Sequence, residues 1–130
     1  MMMKKISSLL LIMMITSTLC FAQSPSETIH KKWQLNELVE FGEKYALNDT
    51  QKDDWLEFDS NHQYAGTING ESIVGSWAEK NNKIVMTKGS DSKFKVNWIK
   101  VISLENENLV ITYQSTDLIK STFFYIPAEE

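Results

Sequence analysis

The chain has 130 residues with 13 basic and 17 acidic side chains, a formal net charge of −4 and 42% hydrophobic residues. That is enough for one domain of modest core, and its acidic balance argues against nucleic acid or an anionic membrane as a partner. A single cysteine excludes a disulfide framework.

Residues 1–5 are basic through Lys4 and Lys5, residues 6–19 are mainly apolar, and Cys20-Phe21-Ala22 puts small residues where a signal peptidase needs them. The apolar run falls short of the roughly 20 residues of a membrane span. A secretory signal cleaved after Ala22 is therefore expected, with export to the periplasm or medium. Cys20 suits acylation poorly because Leu19 before it is not small, and a membrane attachment is expected only if that cysteine is lipidated. Removal of residues 1–22 leaves 108 residues (130 less 22) as a single domain, 23–130. Losing Lys4 and Lys5 takes the charge from −4 to −6.

Residues 24–27 read as a loose polar leader. Over 28–41, Trp33, Leu35, Val39 and Phe41 share one parity with Glu37 as an interruption, which reads as a strand, although Leu35, Leu38 and Val39 also fit helical spacing. Residues 42–52 are a polar loop. Strands follow at 55–58, with Leu56 and Phe58 on one face, and at 63–68. Asn69-Gly70 is the strongest turn in the chain, because a tight hairpin asks for positive φ at both central positions. The next strand, 71–78, aligns Ile73, Gly75 and Trp77, and Asn81-Asn82 turns into 83–88, where Ile84 and Met86 point inward. After a break at 89–92, residues 93–104 align Phe94, Val96, Trp98, Ile102 and Leu104. Lys100 interrupts that face, which a bulge near 98–100 would explain. Strands at 109–113 and 118–126 complete the chain.

Eight strands joined by short links predict an antiparallel meander, and closure into an up-and-down barrel hides its edges. Gly66 and Gly75 lie inside strands, where a small barrel needs bends or close approach. Trp33, Leu-x-Phe58, Tyr64, Gly75-x-Trp77, Lys83-Ile84-Val85, Trp98-x-x-x-Ile102 and Leu109-Val-Ile-Thr112 resemble the bacterial lipocalin-like domain families, over residues 32–126. The resemblance implies a small exported β-barrel. Lipocalins proper carry Gly-x-Trp on the first strand, where this chain has Lys31-Lys32-Trp33, so no binding residue is carried over.

No catalytic or metal motif stands out, and no cofactor is expected. His30 and His62 lack a third ligand at recognisable spacing. Asp49, Asp53, Asp54, Glu57 and Asp59 crowd one window but miss the spacing of a calcium loop and read as a solvated acidic loop. No Gly-x-Ser-x-Gly or phosphate-cradling loop occurs. The aromatics carry more. Trp33, Phe58, Trp77, Trp98 and Tyr113 are expected to wall a pocket for a small apolar ligand, with Lys100 as the group that could orient an anionic head. The function expected is non-catalytic ligand binding. The alternative is a packed barrel acting as a protein interaction module, displaying Ile99, Val101, Phe123 and Tyr125 outside.

Overall fold

The structure is a computed structural model that describes residues 24–129. The expected signal segment and Cys20 lie outside the described residues. A short helix, α1 (Pro25–Ile29), precedes nine strands: β1 (Lys32–Glu40), β2 (Glu43–Tyr45), β3 (Trp55–Phe58), β4 (Gln63–Ile68), β5 (Glu71–Lys80), β6 (Lys83–Lys88), β7 (Val96–Glu105), β8 (Asn108–Ser115) and β9 (Lys120–Pro127). Eight of them form one antiparallel sheet in the order β6-β5-β4-β3-β1-β9-β8-β7, with β2 attached to β1. The sheet curls into a nearly closed up-and-down barrel, as expected. Its two ends, β6 and β7, lie side by side without a hydrogen-bonded ladder, which leaves a seam.

Tight turns set the register. Asn69-Gly70 (φ 54 and 77) and Asn81-Asn82 (φ 52 and 64) both have the two positive φ angles of a two-residue hairpin. A third turn of this kind, Phe41-Gly42 (φ 52 and 75), makes the hairpin of β1 with β2 inside the segment expected to be loop. The rest of that segment holds a single 3-10 turn, Gln51–Asp53.

The strand faces follow the sequence pattern from β3 to β6: Leu56, Phe58, Tyr64, Ile73, Trp77, Ile84 and Met86 are all buried. Two long strands depart from it. In β1 a bulge between Leu35 and Glu37 adds one residue, so Leu38 rather than Val39 turns inward, and Phe41 ends 78% exposed at the turn. In β7 one bulge between Val96 and Trp98 and a second between Val101 and Ser103 shift the parity twice. Val96 and Ile99 are buried while Lys100 and Ile102 are exposed, which corrects the expected inward face of Trp98 and Ile102 and leaves Lys100 turned outward, as a bulge at its interruption allows.

Gly66 and Gly75 are required by close approach. A Cβ on Gly66 would strike the Trp55 carbonyl oxygen, and one on Gly75 would strike both the Thr87 carbonyl and the Tyr64 ring. The leader expected to be loose is instead helical at Pro25–Ile29. The Ser24 hydroxyl caps it by accepting from the Glu27 N–H, and Pro25 occupies its first turn. Ser26 donates to Glu79 Oε1 from its backbone N–H (2.9 Å) and its hydroxyl (2.6 Å), and Lys31 Nζ donates to the Asn106 carbonyl (2.9 Å). These contacts hold α1 against the barrel end that carries the β5–β6 and β7–β8 turns. Ile29, fully buried, joins the core there.

Candidate functional site

Four of the expected wall residues, Trp33, Phe58, Trp77 and Tyr113, are buried inside the barrel. The rings of Phe58, Trp77 and Tyr113 pack against aromatic neighbours. Phe58 meets Trp77 edge-on (centroids 6.2 Å) and Tyr64 at 5.8 Å, while Tyr113 meets Phe94 (5.4 Å) and Phe123 (5.2 Å) nearly at right angles. Edge-to-face pairs of this kind add about 0.5–1.5 kcal/mol each beyond area burial. The indole N–H groups are satisfied: Trp33 Nε1 donates to the Ile29 carbonyl (3.0 Å) and Trp77 Nε1 to the Asp59 carbonyl (3.2 Å).

The fifth, Trp98, and the expected orienting group, Lys100, sit on the outer wall. Lys100 Nζ lies 4.9 Å from the Trp98 ring centroid, and Lys120 Nζ lies 5.8 Å from it. Lys100 therefore does not point into the apolar interior. Conversely Phe123, Tyr125 and Ile99, expected outside by the interaction reading, are buried, so that outer patch does not form.

Polar groups inside the barrel are few. The hydroxyls of Tyr64 and Tyr125 are buried with no hydrogen-bond partner among the described residues. Burial pushes the Tyr64 phenol up to about 12. Burial does the same to Tyr113, also to about 12, opposed by a hydrogen bond with Ser121. Tyr125 is also raised well above its ordinary value, by burial and then by the nearby charge of Asp54.

The seam opens into a cleft of about 440 Å³. Pro25 and Thr28 of α1, Lys83 and Ile84 of β6, and Val101 to Glu105 of β7 line it, with Asn106 at its end. Ile84 is buried and Leu104 packs against the core, so the inner side of this cleft rests on the packed core. Ile102, 54% exposed, stands at its outer lip. These seam residues were absent from the expected pocket. Their one sequence signal was the longer polar link between the sixth and seventh strands.

The two histidines, far apart in sequence, line one shallow recess of about 300 Å³ with Ser26, Glu27, Ser60 and Trp77. His62 lies at φ 62 with its ring 4.8 Å from Trp77, and its Nδ1 is 3.2 Å from the Trp77 carbonyl oxygen. Among the described residues no group of three or more His, Cys, Asp or Glu side chains is arranged to hold a metal ion. The acidic window is not all solvated. Asp54 is fully buried and accepts from Thr67 Oγ1 (3.0 Å), Asn69 N–H (2.7 Å) and Gly70 N–H (3.0 Å), clasping the β4–β5 turn. Burial raises its pKa, against the lowering effect of those three bonds.

No protein-family model matches the chain, and no curated protein matches it. Among solved structures it is similar to an NMR structure of a protein from Burkholderia xenovorans. The identity is 12%, the TM-score 0.46, and the match covers 85% of this chain and 94% of that one.

Proposed function

We propose that this is an exported, non-catalytic, lipocalin-like protein that binds a small, largely apolar ligand, seated at the β6–β7 seam with its apolar body toward the barrel interior. The observation that carries this reading is the seam cleft of about 440 Å³. It is comparable to ligand pockets, which run roughly 300–1,000 Å³. Ile84, Val101 and Leu104 supply apolar walls, and Lys83, Ser103 and Glu105 supply a polar rim, the usual division between affinity and orientation. The inner rings of Phe58, Trp77 and Tyr113, with Trp33, fill the core behind it, so the ligand sits in the cleft and not among them. The exported location rests on the pattern of residues 1–22.

The test is native mass spectrometry of the protein purified from its own source, first gently and then with collisional activation. The expected result is an added mass that leaves on activation, together with a smaller bound fraction in Ile102→Trp, whose indole fills the lip of the cleft. A bare mass throughout, or an adduct that Ile102→Trp leaves untouched, rejects the seam as a binding site.

A further inference from the structure

Two hairpin tips at the end of the barrel away from α1 carry large apolar side chains on backbone poorly suited to them. Phe41, in the β1–β2 turn, is at φ 52 and 78% exposed; Leu118, in the β8–β9 turn, is at φ 68 and 71% exposed. Left-handed backbone is unfavourable for such residues and tolerable for asparagine, which occupies three of the other four non-glycine positions with positive φ, the fourth being His62. The fold alone would be better served by asparagine at 41 and 118. A depression of about 330 Å³ lies between the tips, lined by Val39, Phe41, Leu118, Lys120 and Thr122, with Gly42 at the turn. Tyr45 and Ile119, also exposed, flank it.

The adjoining outer wall is cationic and aromatic. Trp98, Gln114 and Lys120 form one cross-strand row near that end, and the ammonium groups of Lys100 and Lys120 both lie against the Trp98 ring. Neither lysine has a carboxylate within ion-pair distance among the described residues, in a chain that is acidic as a whole.

We propose that, against the expectation from the chain's overall acidic balance, this end docks on an anionic lipid surface through its local cationic patch. Phe41 and Leu118 insert among the acyl chains, Trp98 lies at headgroup depth, and Lys100 and Lys120 meet the lipid phosphates. Two highly exposed apolar tips bordering one small depression, rather than a broad flat apolar face, suit insertion into a fluid layer. Tryptophan and lysine beside them match the polar zone just above. Glu43 and Asp117 lie on the same two hairpins, so attraction by charge alone is weak and the apolar tips are required. Because α1 packs at the opposite end, docking leaves the seam cleft uncovered.

The experiment is co-sedimentation of the purified protein with vesicles of mixed phosphatidylglycerol and phosphatidylcholine, and of phosphatidylcholine alone. Wild type is expected to sediment with the mixed vesicles. Phe41→Asn/Leu118→Asn, which suits the left-handed backbone and should melt no lower than wild type, is expected to bind at least roughly tenfold more weakly. Lys100→Gln/Lys120→Gln is expected to lose roughly tenfold on mixed vesicles and much less on the zwitterionic ones. The proposal is overturned if wild type stays in the supernatant with both, or if the asparagine variant binds as wild type does. Self-association in sedimentation velocity that the asparagine variant abolishes would assign the tips to a second copy of the chain instead.

Discussion

The Tyr64 and Tyr125 hydroxyls make plain what burial does to a single polar atom. Neither has a partner among the described residues, and both phenols are pushed above their ordinary value of 10.0, as is Tyr113. A raised folded pKa means that the native state holds its protons longer than the unfolded chain does. The stability these neutral phenols contribute is therefore complete below pH 10 and is lost as the pH rises through about 12, the value for Tyr64 and Tyr113. In an alkaline titration, tyrosinate absorbance from these residues should rise together with the loss of far-ultraviolet circular dichroism, not ahead of it. Tyr125→Phe removes an unsatisfied hydroxyl and should raise stability by about 1 kcal/mol in denaturant unfolding. It should also remove part of the alkaline loss.

At the scale of elements, each hairpin is held by chemistry specific to its turn, and the β4–β5 hairpin is held by Asp54. Asp54→Ala leaves the Asn69 and Gly70 N–H groups and the Thr67 hydroxyl without their acceptor. It should lower stability by about 2–4 kcal/mol by chemical denaturation, since three hydrogen bonds of roughly 0.5–1.5 kcal/mol each are lost. How legible an element was depended on whether its alternation ran unbroken. β3 to β6 and β8 keep strict period two, and their inward residues, including Phe58, Trp77 and Tyr113, stand where the pattern put them. The interruptions at Glu37 and Lys100 did signal bulges, but parity cannot say which residue is the extra one. Parity therefore puts Trp98 on the inner face and leaves Lys100 open to either side, and the structure turns both outward. Phe41-Gly42 was hidden because its first residue lacks turn chemistry, and α1 because five residues are too few to show a period. The seam left only the longer polar link at 89–95 as a trace: strands consecutive in sequence are expected to pair, and nothing in the side chains of β6 and β7 says that they do not.

For the whole molecule, the seam and the central position of β1 belong to one arrangement. β3 to β6 form one meander and β7 to β9 another, and β1 is laddered to β3 on one edge and β9 on the other. The covalent link across the seam, residues 89–95, is clasped to β5 instead. Lys93 and Phe94 N–H donate to the Ser72 carbonyl (2.9 Å each), and the Ser92 hydroxyl bridges the Val74 N–H and carbonyl (2.8 and 3.0 Å). Ser90 and Asp91, within this link just before Ser92, are exposed. A break in the chain between them would cut no ladder. The protein could then be made as two polypeptides, 1–90 and 91–130, that find each other through the β1–β9 edge. Co-expressed, they should elute together and show the circular dichroism of the intact chain, which makes the barrel a scaffold that can be split and reassembled.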